Sequence, residues 1–234
     1  MNAAALSALQ EIDSALDAIA NKRPRLPEVA VHKVAADALA GLRSQVADAE
    51  RRVTAAQSAI DAAEHAAADL TTKRSRLESQ LKTVIAPREA EALMHEIATI
   101  NARRGELDDD ELAALEVFGE GQAELAARLA ELPNCEAELT AAASALATAA
   151  TALDAEAAAL AVARRSAIEQ LSPDELSRYE HVRTQFHGIA VARLQGSHCS
   201  GCHMDLSPAE LDGVKSVAAG EVAECPQCGR MLVR

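Results

Sequence analysis

The chain has 234 residues, a net charge of −13 and only three aromatic side chains, Phe118, Tyr179 and Phe186. Wide globular cores rest on large aromatic and branched residues, so this composition excludes a core of ordinary size. Much of the 49% hydrophobic fraction is alanine; with leucine, glutamate and arginine it is the composition of long helices.

Taken from the N-terminus, Met1-Asn2-Ala3 lacks a basic stretch followed by an apolar run, so no signal peptide is read. No segment reaches the roughly 18 unbroken apolar residues of a bilayer span. Leu9, Ile12, Leu16 and Ile19 alternate at three and four residues, a helical seam. Pro24 and Pro27 then break it, and the register jumps by two. From Leu39 the alternation runs through Leu42, Val46, Ala49, Val53, Ala56, Ile60 and onward to Val84, with Arg74 its only polar member. Repeats of this length predict a coiled-coil seam. Pro87 forces a turn near 84–88. A second seam opens with Leu93, Ile97, Ile100 and Leu107, and continues as Leu125, Leu132, Leu139, Leu146, Leu153 and Leu160. Between them, 104–121 is less regular and holds Gly105, Gly119 and Gly121, which predicts local fraying. Two long helices joined by a short turn pack antiparallel. Pro133 falls opposite about residue 39 in such a hairpin, so a kink is expected there, not a domain boundary.

Ser172-Pro173-Asp174-Glu175 is a helix start, with serine as cap, proline at the first position and glutamate at the third. Leu176, Tyr179, Val182 and Phe186 line one face of this docking helix, and Gly188 ends it. The tail holds Cys199-Ser-Gly-Cys202 and Cys225-Pro-Gln-Cys228. Two such turns facing each other make a closed tetrahedral thiolate site, which zinc favours. A rubredoxin-like iron site uses similar pairs, but 189–234 has no aromatic residue to core it. Four sulfurs leave no open position, so the site is structural. The expected order is strand 189–194, first knuckle, helix from Ser207, strand 221–224, second knuckle, strand 230–233. Paired thiols suit a reducing compartment, which places the protein in the cytoplasm.

This combination resembles the bacterial coiled-coil/four-cysteine zinc-ribbon proteins. The resemblance is carried by Leu9-Gln10-Glu11-Ile12-Asp13, Leu26-Pro27, Glu91-Ala92-Leu93-Met94-His95-Glu96-Ile97 and, most specifically, the two cysteine knuckles with their flanks. It implies a mainly α fold: a long kinked antiparallel coiled-coil hairpin (1–171), a connecting helix (172–188) and a small α+β zinc ribbon (189–234). It also implies a binding protein without known catalysis. Some members are linked to an alternative sigma factor, to flagellar regulation and to RNA, which implies a transcription-related protein partner. The hairpin tip, Thr83-Val84-Ile85-Ala86-Pro87-Arg88, departs from the Gly- and Lys-containing tip common in the family, and only Lys82 and Arg88 give it charge.

No catalytic set emerges. His95-Glu96 lacks the second histidine of a zincin helix, and Gly119-Glu120-Gly121 follows no strand. Asp108-Asp109-Asp110-Glu111 could hold Mg²⁺ but reads as a solvated helical run. Cys135 reads as a packed thiol. Nucleic-acid affinity comes mainly from phosphate neutralisation, yet 189–234 carries four basic and five acidic side chains. Basic spots at 22–25, 73–76, 103–104 and 164–165 read as coil positions paired with glutamates. The expected function is therefore a non-catalytic adaptor or chaperone-like protein acting through coiled coil and ribbon, with an RNA-binding regulator as the alternative. No membrane or small-molecule partner is expected. Candidate partner contacts are Lys82, Arg88, His198, His203 and Arg230. Cys199, Cys202, Cys225 and Cys228 should hold about one zinc per chain; a metal assay returning iron, or two metals, would overturn that assignment.

Overall fold

The computed structural model describes Met1–Arg234. Asn2 caps helix α1 (Ala3–Lys22), its Oδ1 accepting from the Ala5 amide at 3.2 Å. The Pro24–Pro27 break is one short 3₁₀ turn, Arg23–Arg25, after which α2 runs Pro27–Leu81. Residues 82–86 form the hairpin turn, and α3 runs Pro87–Ile168. Prolines open both long helices, where the missing N–H has no helical partner to lose. Pro133 lies inside α3, which continues through it. One 18-residue window of α3 reaches a mean hydropathy of 1.4 and so meets the length and composition of a membrane span.

The chain divides into two compact units, His32–Ala142 and the pair of segments Met1–Val31 and Ala143–Arg234. In the first, the α2 seam follows the sequence reading position by position. Leu39, Leu42, Val46, Ala49, Ala56, Ile60, Ala63 and Leu77 are buried, and Val53, Ala67, Leu70 and Arg74 half-buried. The expected fraying at 104–121 does not occur. α3 is unbroken there, and the three-four burial pattern passes through Arg104, Leu107, Glu111, Ala114, Phe118 and Gly121. Arginine, glutamate and glycine at seam positions hid the repeat. At Gly121 the helices approach closely: a Cβ on it would lie 3.1 Å from Cγ2 of Val53. Gly105 and Gly119 face open space. Arg43–Glu136 at 2.9 Å, Lys73–Glu96 at 3.3 Å and Arg52–Glu124 pair across the seam. All are exposed, and such pairs each contribute at most about 1 kcal/mol.

In the second unit, Ile19 and Leu26 pack with Leu153 of α3, flanked by Leu146, Ala149, Ala157 and Leu160. Helix α4 (Pro173–Gln185) starts on the full capping box expected of Ser172 and Glu175. The ribbon holds β1 (Val191–Gln195), β2 (His198–Cys199), α5 (Pro208–Ser216), β3 (Ala223–Glu224) and β4 (Met231–Val233). Sheet order is β2-β1-β4-β3. β1 and β4 are parallel, with Val191 opposite Met231, and the outer pairs are antiparallel. Strand β2 was not foreseen; two residues carry no period-two signal. Leu6 and Leu9 of α1, Tyr179 and Val182 of α4, and Val191, Met231 and Val233 of the ribbon form one core.

Alanine at Gly119 or Gly105 should raise stability by about 0.5–1 kcal/mol, since nothing opposes the new methyl. Leucine at Gly121 should lower it by more than 1 kcal/mol through collision with Val53. Urea midpoints followed at 222 nm separate the two cases; a destabilising Gly119→Ala would contradict the exposure argument.

Candidate metal centre

The sulfurs of Cys199, Cys202, Cys225 and Cys228 lie within 4.8 Å of one another, and Cys202 and Cys225 are 4.0 Å apart. Tetrahedral zinc–thiolate geometry sets sulfur separations of about 3.8 Å, so the donors fit a single zinc without rearrangement of the fold. The two knuckles are built alike. The amide of His203 donates to the Cys199 carbonyl at 2.9 Å, as that of Gly229 does to Cys225 at 2.8 Å. The amide of Cys199 donates to the Met204 carbonyl at 3.1 Å, and that of Cys225 to Arg230 at 2.9 Å. The residue after each second cysteine takes positive φ, +76° at Gly229 and +58° at His203. Gly229 therefore serves backbone conformation, and Gly201 serves space. A Cβ there would lie 2.8 Å from Cδ of Arg230 and 2.9 Å from Cβ of Ala192.

Without metal the thiols are held unequally. Burial pushes Cys225 up to about 12, against the pull of the Gln227 and Cys228 amides. Burial also raises Cys202. At Cys228 burial is outweighed by hydrogen bonding from the Arg230 amide and by the neighbouring cysteines, which lower it. Zinc takes thiolates, so loading this site releases protons and strengthens as pH rises. The long spacer between the knuckles is used by α5, which has its own capping box from Ser207 and Glu210. Gln227 in the second knuckle donates to Glu210 at 2.8 Å, tying helix to knuckle.

One amide side chain of α1 fixes the start of the ribbon. Gln10, 7% exposed, accepts with its Oε1 from the amides of Ala190 at 2.6 Å and Val191 at 3.0 Å, and donates through Nε2 to the Gly188 carbonyl at 2.9 Å. One turn on, Asp13 is 2% exposed. It accepts from the Tyr179 hydroxyl at 2.9 Å and Arg164 Nε at 2.6 Å, with Arg183 at 3.5 Å. Burial, then the bond to Asp13, raises the Tyr179 hydroxyl well above its usual range, so it stays a donor. Asp13 thus joins α1, α3 and α4. A buried carboxylate with three partners is costly to leave half-satisfied, which makes the arrangement specific. Both residues belong to the Leu9–Asp13 stretch that carried the resemblance. Their polarity at a buried face was the available signal, and heptad reading passed over it.

The candidate partner contacts are dispersed. Lys82 and Arg88 are exposed at the tip beside Ile85, which is 96% exposed. His198 and His203 come together beside the first knuckle, ring centroids 5.8 Å apart, with His198 Nδ1 3.5 Å from Asp205. Arg230 is engaged inside the fold. It donates to the Ile189 carbonyl at 3.0 Å and lies 4.3 Å over the Phe186 ring. The acidic run 108–111 lies along α3, where consecutive residues point around the helix; the clustered metal donors are the cysteines. Half of the ten basic side chains in the basic spots are ion-paired: Arg23 with Asp154, Lys73 with Glu96, Arg74 with Glu78, Arg103 with Glu106, and Arg164 with Asp13 and Glu180; Lys22, Arg25, Arg76, Arg104 and Arg165 form no ion pair.

Residues 9–187 match the CT398-like coiled coil hairpin domain, and 198–232 match the C4-type zinc ribbon domain. Two Mycobacterium tuberculosis relatives, from strains CDC 1551 / Oshkosh and H37Rv and both described as uncharacterized, are each 30% identical across 97% of this chain and 92% of their own. Among solved structures, CT398 of Chlamydia trachomatis superposes with a TM-score of 0.84 at 20% identity, over 98% of this chain and 97% of its own. A Mycobacterium smegmatis protein gives 0.69 at 23%, covering both chains fully, and HP0958 of Helicobacter pylori 0.60 at 15%, over 98% and 95%. At these identities the structural likeness speaks to fold.

Replacing Cys199 by serine should abolish metal binding and order in 189–234. Because Val191, Met231 and Val233 share a core with Leu6 and Leu9, α1 and α4 should loosen too, while residues 32–142 stay helical. Metal content and hydrogen exchange report this; loss of protection across 32–142 would refute it.

Proposed function

Because the chain belongs to the family of CT398-like coiled-coil hairpin proteins with a C4-type zinc ribbon, we propose that it is a non-catalytic adaptor of the cytoplasm. In this reading one structural zinc per chain shapes the ribbon, and ribbon and helices together bind a protein partner. The observation that carries this reading is the Gln10 clamp. It makes three hydrogen bonds to backbone at the entry of the ribbon, so ribbon and α1 are presented as one surface. Exposed apolar side chains on that surface, Ile189 at 43% and Met204 at 54%, suit protein contact. The family resemblance points to a transcription-related partner.

RNA binding is supported less well. Arg193 of the ribbon is paired with Glu11 at 2.5 Å, Arg178 of α4 reaches Glu224 at 2.8 Å, and Arg230 covers Phe186. These cations are already neutralised or stacked, and phosphate binding needs them free.

Capture from native lysate distinguishes the readings, with protein and RNA both identified. The intact chain should enrich a protein that resists nuclease treatment and is lost from the Cys199→Ser/Cys228→Ser variant. RNA recovered instead, with an absorbance ratio at 260/280 nm that falls after nuclease and with rising salt, would overturn the adaptor reading.

A further inference from the structure

α3 carries a second three-four repeat that its pairing with α2 does not use. Leu112, Leu115, Gly119, Gln122, Ala126 and Leu129 follow one another at intervals of three and four, so they line one stripe of the helix. The inner seam of the same stretch is Arg104, Leu107, Glu111, Ala114, Phe118 and Gly121. The outer stripe is exposed: Leu112 by 61%, Leu115 by 44% and Leu129 by 44%. Its glycine faces open space; no neighbour of the fold requires Gly119 to lack a side chain. Only Gln122 among the six is strongly polar. A spacing of this kind is what a second helix reads, with leucines as knobs and glycine or alanine allowing close approach.

The charge around the stripe selects the partner. Between Gly105 and Glu131, nine side chains are carboxylates and one, Arg128, is a cation. Three of the carboxylates have ion-pair partners: Glu106 with Arg103, Glu124 with Arg52 and Glu131 with Arg128. Six form no ion pair, among them Asp109 and Glu116, which flank Leu112 three residues before and four after. A second copy of this chain would bring the same carboxylates against themselves.

We propose that the outer face of α3 from Leu112 to Leu129 is a docking site for a basic amphipathic helix of another protein. Such a helix carries an apolar stripe bordered by lysine or arginine. This rests on the adaptor reading and names the class of partner. The leucines supply apolar burial once covered, and the unpaired carboxylates supply orientation and rate of encounter. The stripe is about 27 Å long, close to five helical turns.

A labelled helical leucine–lysine peptide of about 18 residues, titrated into the full chain by fluorescence anisotropy, tests the site. It should bind saturably and weaken as salt rises. Leu112→Gln/Leu115→Gln should reduce affinity about tenfold without changing the ellipticity at 222 nm. Val31→Gln/Val34→Gln, an exposed apolar pair outside the stripe, should change it by less than about twofold. A leucine–glutamate peptide should not bind. The proposal is overturned if the leucine variant binds the lysine peptide as tightly as the parent chain, or if the glutamate peptide binds equally well. It is also overturned if the free chain sediments as a dimer that the leucine variant dissociates. Failure here leaves the ribbon-dependent capture intact, and failure of that capture leaves this titration readable, so the two readings fall separately.

Discussion

Four cysteine sulfurs within 4.8 Å of one another close a module that has little else to close it. Residues 189–234 contain no aromatic side chain, and their own core is a small set around Ala192, Leu206, Val214 and Leu232 beside the cysteines. Ordering each residue costs about 1–2 kcal/mol of backbone entropy. A structural zinc site contributes about 10 kcal/mol or more in small domains. A zinc held by these four sulfurs would supply the term that lets the ribbon hold a fixed surface, since the strands, α5 and the knuckle turns all close on the cysteines.

The ribbon is not independent even so. Its second apolar face, Val191, Met231 and Val233, is covered by Leu6, Leu9 and Tyr179 from the helices. Hydrophobic contact is non-directional, and it would tolerate sliding. Gln10 and Asp13 remove that freedom, because each must satisfy several donors at fixed positions. A glutamine that meets two backbone amides and one carbonyl sets the register between α1 and β1. An aspartate shared by Tyr179, Arg164 and Arg183 sets α1 against α3 and α4. Polar groups in this unit therefore decide arrangement, and apolar groups supply most of the stabilisation.

Residues 32–142 are ordered differently. Their stability comes from a thin seam of alanine, leucine and isoleucine, repeated without slips, in which no single contact is large. Such a seam leaves most of each helix in solvent, so the outer faces are free to carry other patterns. The acidic and apolar face of α3 is one of them. The inner seam there admits Arg104, Glu111 and Gly121 and still remains continuous: the glycine allows close approach to Val53, and Arg104 and Glu111 are only half-buried, so their stems can pack while their charged ends reach toward solvent.

Heptad spacing and cysteine spacing are properties of the chain alone. For that reason the two long helices, the turn before Pro87, the capped starts of α4 and α5 and the convergence of the four cysteines were all legible by reading. Each depends on residues close in sequence, or on a chemistry with few geometric solutions. The unbroken course of α3 through 104–121 was not legible, since whether a glycine weakens a helix depends on what faces it, and only packing tells Gly121 from Gly119. The parallel pairing of β1 with β4, the role of His203 as a turn residue and the engagement of Arg230 with Phe186 were likewise decided in three dimensions. So was the burial of Gln10 and Asp13, whose partners lie more than 150 residues away along the chain. Local periodicity and ligand chemistry settle which elements form; the satisfaction of buried polar groups over long range settles how they meet.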